Sequence, residues 1–432
     1  MNDDFRQPHL AMDALDEQLV DAEEDSLPRP RPPQFRSRAA RLLFGASLVL
    51  IAFNLRPLFS SLSVLLPEVT QETGLSTVGA SLLTTLPVVC LGVFAPFAPR
   101  LAQRFGAERT LLGALLLLAI STGLRGVASV PLLFAATLAA GAAIAVSNVL
   151  LPGVVKRDFA DSAAIMAGLY TMALCAGAAA GAGLTLPIEH VVGSWSGALA
   201  AWAVPGLAVA FIFAPQALAA RPQAAHAGFR VTGLWRDRLA WQVTLFMGLQ
   251  SALAYCVFGW LAPILRERGF EAAVAGGIVS LSVMAQVVTC LLVPSFAVRR
   301  RNQRGVNVVL VAAATVALLG LMFAPVWTVP FWAVLQGIGQ GGLIAAAMIV
   351  IVLRSPDPHV AAHLSGMAQG VGYVLAAIGP LLVGLIRSWT GSFDAAALLM
   401  VVLGAGAAWM GAGAGRALHV DARTLAIDER DA

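Results

Sequence analysis

Charge is what this sequence has least of. Charged residues make up 12% of its 432 residues, while 58% are hydrophobic. Ordinary soluble domains run near ~25% charged, so this chain lacks the polar surface a soluble globule needs. Carboxylates are scarcest where they would matter most. Nine of the 24 lie in the first 25 residues, the rest sit in short loops and the C-terminal tail, and the interiors of the apolar runs hold none. An embedded acid of the kind proton-driven carriers often use is therefore missing. Cysteine is also sparse. Cys90, Cys175, Cys256 and Cys290 all fall within apolar runs, at spacings that fit neither a metal site nor a disulfide framework, which predicts buried thiols and no metal. There is no Walker A lysine motif, no H-E-x-x-H and no nucleophile elbow. Their absence argues against an ATP-driven pump or a membrane hydrolase, so no enzyme and no cofactor are expected. The acidic start does not resemble a cleaved signal peptide with its basic leader. The net charge of +4 comes with no basic stripe interleaved with exposed aromatics, so nucleic acid is not an expected partner.

What the chain does have is apolar runs of about 20 residues, each long enough to cross ~30 Å of hydrocarbon. Twelve are predicted, at 42–66, 76–98, 108–126, 130–153, 162–188, 195–217, 239–264, 272–297, 305–325, 328–353, 361–386 and 393–414. The fold class is an all-α membrane protein. The polar stretch "ARPQAAHAGFRVTGLWRDR" (220–238) divides the helices six and six. The expected organisation is a disordered tail at 1–40, a six-helix bundle at 41–219, a linker at 220–238, a second bundle at 239–414 and a short disordered tail at 415–432. Arginines and Lys156 crowd alternate loops, among them Arg100, Arg104, Arg109, Arg236, Arg238 and Arg304, while the opposite loops hold Arg125, Arg266, Arg268 and Arg387. By the positive-inside rule both termini are expected in the cytoplasm.

The two halves repeat. An offset of 195 places Glu72 on Glu267, Gly74 on Gly269, Pro99 on Pro294, Arg104 on Arg299 and Arg109 on Arg304. Later an offset of 198 matches Lys156 with Arg354 and "GSW" (193–195) with "GSF" (391–393). Parallel six-helix repeats are a mark of carriers that rock two bundles about a midplane site.

Arg56 breaks the apolar pattern of the first run. A cation at that depth costs roughly 2.5–3.5 kcal/mol on insertion scales, and at ~1.5 Å per residue it is too far from either end to snorkel easily. With no acid in any run to pair with, Arg56 is read as facing a water-filled cavity and an anionic or electron-rich solute. Pro57 removes a donor and obstructs the carbonyl of Phe53, which predicts a helix loosened beside the cation. Asn54, Tyr170, Gln336, Gln340, Gln369 and Tyr373 are the polar side chains proposed to hold the solute. Gln336 and Gln340, like Gln369 and Tyr373, share a helix face at i, i+4. Thr171, Gln250, Tyr255 and Gln286 reach similar depth, and Asn148 is a weaker candidate nearer a helix end. "GIGQGG" (337–342) matches a dinucleotide fingerprint in letters only; it has no strand before it and reads as glycines for close helix approach.

Twelve runs in two halves, with basic loops after the second and eighth, resemble the major facilitator superfamily. Its loop signature, G-x-L-A-D-R-x-G-R-R, is met in part by "PRLAQRFGAER" (99–109), with Gln103 at the aspartate and Arg104, Gly106 and Arg109 retained. The superfamily's antiporter signature, G-P-x-x-G-G, is not reproduced in the fifth run. "NLRP" (54–57), "LLTTLPVVCLGVFAP" (82–96), "SNVLLPGVVKRDF" (147–159), "GLYTMAL" (168–174) and "SGMAQGVGYVLAAIGPLLVG" (365–384) are similar to the cyanate/2-nitroimidazole transporter family. The resemblance implies two pseudo-symmetric six-helix bundles in a bacterial inner membrane. It also implies a monomeric secondary carrier that moves a small anion or compact polar heterocycle by alternating access, with a coupling proton possible. Arg100, Arg104, Asp158 and Arg299 become the candidate inner gate. A broad exporter of hydrophobic compounds and a non-transporting membrane sensor are the competing readings.

Overall fold

A computed structural model describes residues 37–159, 162–220, 229–297, 302–356 and 358–426. Most of the predicted N-terminal tail, and Arg299, lie outside the described residues. The chain from Phe44 onward forms one compact unit, with Met1–Leu43 as a second. Among the described residues, twelve segments are helices long and apolar enough to cross a membrane, in the number and order the apolar runs predict.

The first half is built from α1 (Arg38–Asn54), α2 (Pro57–Thr73), α3 (Thr77–Phe94), α4 (Phe97–Phe105), α5 (Ala107–Leu124), α6 (Val130–Asp158), α7 (Ala163–Val192), α8 (Trp195–Ala201) and α9 (Ala203–Ala219). The second comprises α10 (Arg238–Glu267), α11 (Ala272–Ala297), α12 (Arg304–Phe323), α13 (Val329–Leu353), α14 (Pro358–Thr390) and α15 (Ala396–Ala414). Because successive crossings alternate in direction, Arg100, Arg104, Arg157, Arg238, Arg304 and Arg354 fall at one end, here the basic end. Glu68, Glu72, Arg266 and Glu267 fall at the far end.

The sequence repeat has a structural counterpart. Gly74 and Gly193 end their helices at φ of +66° and +78°, and their repeat partners Gly269 and Gly391 have φ of +91° and +78°. Glycine occupies that left-handed region without a Cβ penalty. Trp195 Nε1 donates to Glu72 Oε2 at 2.6 Å, while in the other half Phe393 N donates to Glu267 Oε1 at 3.3 Å. These are the residues the two offsets equate.

One element departs from the all-helical expectation. β1 (Phe229–Thr232), within the expected linker, pairs antiparallel with β2 (Arg423–Ala426), within the expected disordered tail. The chain after α15 folds back onto the second half. Val420 N donates to Arg354 O at 2.9 Å and Gln303 N to Gly415 O at 3.0 Å, while Val420 and Ala422 join the buried core of that half. A short polar segment whose partner lies some 190 residues away carries no local signal of pairing, which is why the tail reads as disordered from sequence.

Candidate functional site

The site is built around a break in the first crossing. α1 stops at Asn54 and α2 starts at Pro57, where proline suits the first helical position because its missing N–H would be unpaired anyway. Between them Arg56 takes φ −110°, ψ −27°. Leu55 N donates to Ala52 O at 3.1 Å, and Phe59 N to Arg56 O at 3.2 Å. α7 fills the outside of this bend with two glycines. A Cβ at Gly177 would collide with the carbonyl oxygen of Phe53, and one at Gly181 would stand 2.9 Å from Pro57 Cα. The carbonyl that Pro57 deprives of its donor is thus covered by a helix face with no side chain.

The bend turns Arg56 into a cavity enclosing about 610 Å³ of unfilled space, counting the part continuous with solvent. Arg56 Nη1 donates to Tyr255 Oη at 3.3 Å, and its guanidinium carbon lies 5.9 Å from the centre of the Phe59 ring. Among the described residues no carboxylate comes within ion-pairing distance of it, and none lines the cavity. Tyr255 is packed against Phe59, Phe258 and Tyr373, with ring centres 5.6, 6.2 and 6.2 Å away. The result is one cation beside aromatic walls, in a chamber where a bound anion would be desolvated and Coulomb attraction correspondingly strong.

The structure sorts the candidate side chains. Arg56 and Tyr373 line the cavity together. Tyr170 lies beside Thr171, which does line it, and close enough to Tyr373 to act on it electrostatically. Asn54 turns back to donate to Leu50 O at 2.8 Å. Gln336 accepts from Ser282 Oγ within the second half, and Gln340 Nε2 donates to Gln250 Oε1 at 3.1 Å. Gln369 Nε2 donates to Ser365 Oγ at 2.8 Å. Those four do not line the chamber; Gln336 and Gln340 brace the helices behind it.

Other residues take the places the sequence reading left open. Met247, Gln250, Ser251, Ala254, Tyr255 and Phe258 form the α10 wall, while Thr171, Leu174, Cys175 and Ala178 form the α7 wall. Both sets repeat at i, i+3, i+4, i+7, so each is one helix face. That spacing was available in the sequence, but nothing local says which face of a uniformly apolar helix meets a cavity. Gln286 is buried at the cavity with its Nε2 unpartnered, a donor the solute could use. Ser251, which the repeat equates with Arg56, stands in the same lining.

At the basic end the expected gate is arranged differently. Asp158 accepts from its neighbour Arg157, Nε to Oδ1 at 2.7 Å, and Arg157 also binds Glu108. Arg100 and Arg104 are exposed and rest over the rings of Phe97 and Phe105, at 5.9 and 5.3 Å. In the second half Arg354 and Gln303 bind each other where the repeat puts Arg157 and Glu108 to within one residue. The bonds described between the two halves lie at Arg56 or toward the far end. Ser63 Oγ donates to Gly259 O at 3.1 Å, Ser81 Oγ to Leu381 O at 2.9 Å, and Arg266 Nη1 pairs with Glu68 Oε1 at 2.7 Å.

The family model of the Major Facilitator Superfamily matches residues 42–335. The chain belongs to the major facilitator superfamily. It is 37% identical to the 2-nitroimidazole transporter of Escherichia coli (strain K12), across 87% of this chain and 96% of that one. It is 30% identical to the cyanate transport protein CynX of the same organism, across 80% of this chain and 90% of that one. Among solved structures, a bacterial homologue of the human lysosomal transporter Spinster, inward-facing and unoccupied, superposes with a TM-score of 0.67. That match has 15% identity over 87% of this chain and 98% of that one, and so speaks to fold alone. As a superfamily member the protein is a multi-pass membrane protein and a secondary transporter of small solutes working by alternating access, not an enzyme.

Proposed function

We propose that the chamber at Arg56 takes a small anion or compact, planar polar heterocycle, with the guanidinium as the electrostatic anchor and Tyr255 and Tyr373 as its stacking walls. The observation that carries this reading is a half-buried cation facing the cavity at the bend of the first crossing, with no carboxylate beside it among the described residues. Left without a counter-ion, such a group is costly; a solute that supplies the charge or electron density offsets the cost. The relatives' names, 2-nitroimidazole transporter and cyanate transport protein, point to solutes of the same compact, electron-rich kind.

The basic end faces the cytoplasm of a bacterial inner membrane in this reading, on the strength of the Arg and Lys excess there. The chamber lies in the middle of the bundle and the basic-side halves of α7, α11 and α13. With the described cross-half bonds lying at Arg56 or toward the far end, the conformation fits an inward-facing carrier. Because no carboxylate lines the chamber among the described residues, any proton that accompanies transport arrives on the solute.

Uptake into proteoliposomes of labelled 2-nitroimidazole, cyanate and a panel of neutral heterocycles tests the assignment, with wild type and Arg56→Gln compared after thermal melting has shown both to be folded. The expected outcome is transport of the compact electron-rich solutes by wild type and its loss in the variant. Equal transport of neutral compounds by both would favour a broad exporter with Arg56 in a structural role.

A further inference from the structure

Two of the four cysteines meet across the seam between the halves. Cys175 is on α7 and Cys290 on α11, and both line the Arg56 chamber. The two helices run antiparallel and pack closely. A Cβ on Gly183 would stand 3.2 Å from Ser280 Oγ, and one on Gly276 would meet the carbonyl of Ala182. Following α7 back from Gly183 and α11 onward from Ser280, two to three turns along each, brings Cys175 opposite Cys290. The two thiols lie close enough to act on each other, and Cys290 Sγ donates to Gly341 O at 3.3 Å. The other two cysteines have no such partner. Cys90 donates to Leu138 O at 3.6 Å inside the first half, and Cys256 is buried against α14 beside Gly379.

We propose that Cys175 and Cys290 form a redox-modifiable pair, converted by a small oxidant of the peroxide class into a disulfide that ties the two halves together and stops transport. One thiolate attacks a peroxide oxygen, breaking the O–O bond and giving a sulfenic acid and hydroxide. The second sulfur attacks that sulfenyl sulfur and water departs. In sum two thiols and one hydrogen peroxide give one disulfide and two waters, with two electrons passing from sulfur to oxygen. The chamber supplies the access, since Cys290 is only partly covered. Two thiols that share one cavity wall across packed helices need only close to about 2.05 Å, the disulfide bond length. Alternating access requires the bundles to rock against one another, and a covalent link at the α7–α11 seam opposes that motion.

The test uses the full-length protein treated with hydrogen peroxide, digested without reduction and mapped by mass spectrometry. A linked peptide pair carrying Cys175 and Cys290 is expected, with Cys90 and Cys256 unlinked, and dithiothreitol should reverse it. In proteoliposomes, peroxide should remove most of the 2-nitroimidazole uptake of wild type and dithiothreitol restore it. Cys175→Ala and Cys290→Ala, each compared with its own untreated rate, should lose none to peroxide. If a variant fails to fold, the wild-type peptide map decides alone. That map does not rest on the transport reading, and if no labelled solute moves, a melting midpoint raised by oxidation and lowered again by reduction takes the place of uptake. Absence of the Cys175–Cys290 peptide overturns the pair, and a disulfide that leaves uptake unchanged overturns its role.

Discussion

At the scale of single residues, the position that announces itself in the sequence is Arg56, because a charge inside an apolar run is costly wherever it points and needs no tertiary contact to be noticed. The glutamines were a different matter. Gln336 and Gln340 lie at the right depth, but an amide turns toward whichever neighbour it can bond, and Ser282 and Gln250 take one end of each here, leaving Gln336 Nε2 and Gln340 Oε1 unpartnered. Tyrosine would have been the better guide: the chain has three, and Tyr255 and Tyr373 line the chamber while Tyr170 stands beside it. Arg125 sits at the junction between two helices, as its place among the loop charges implies, but it is 1% exposed, and among the described residues its three guanidinium nitrogens have no hydrogen-bond partner. The repeat equates it with a glycine. Its counterpart Gly320 is covered by the ring of Trp332, whose own counterpart is the small Thr137. Replacing Arg125 by Met keeps the volume and removes a desolvated charge, so stability should rise by about 1–4 kcal/mol, read as a higher melting midpoint in detergent. A lower midpoint would mean that the guanidinium is held by a partner in the folded protein.

At the scale of elements, Pro57 and the glycines of "CAGAAAGAG" (175–183) were legible separately, and the structure joins them into one device. The bend between α1 and α2 is seated against Gly177 and Gly181, so the helix break and the glycine pair require each other. Gly177→Val should therefore act like overpacking of a closed core, costing about 1–3 kcal/mol and reducing uptake by displacing Arg56 from Tyr255. Gly366→Ala, at a site with open space around the new methyl, should melt no lower than wild type. Equal melting and uptake for both variants would show that the bend does not lean on α7. What no element could reveal by itself was β1–β2. Its ladder joins segments from opposite ends of the second half, and neither is long or apolar enough to be recognised as a strand without the other.

For the whole molecule, the two offsets in the sequence equate residues that the structure pairs in each half, Trp195 with Glu72 and Phe393 with Glu267. They could not foretell which end of the carrier is shut, because that is a property of one conformation among several that the sequence allows. The cross-half pair Arg266–Glu68 is one bond at the closed far end, and it is partly exposed, 26% and 23% at the side chains. Pairs of this kind contribute roughly 0.2–1 kcal/mol. Arg266→Gln should thus raise the open population of the far end by up to about five-fold. The readout is the rate at which a membrane-impermeant maleimide labels a cysteine introduced by Ser63→Cys. An unchanged rate would mean the closure rests on the Ser81–Leu381 contact instead. The inner gate was the least readable feature, since Asp158 is taken by the arginine beside it and Arg100 and Arg104 lie on neighbouring rings.

The central claim is that Arg56 is placed at membrane depth for the sake of a solute, and direct binding tests it without relying on turnover or sidedness. Isothermal titration of the purified protein with 2-nitroimidazole and with cyanate, wild type beside folded Arg56→Gln, gives the answer in one ratio. Truncating one partner of a buried charged contact costs about 2–5 kcal/mol. The variant's dissociation constant should accordingly rise by roughly 30-fold or more, with heat of binding lost for the same solutes that wild type takes up. Equal affinities in the two proteins would contradict the account and leave Arg56 as a structural residue of the bend.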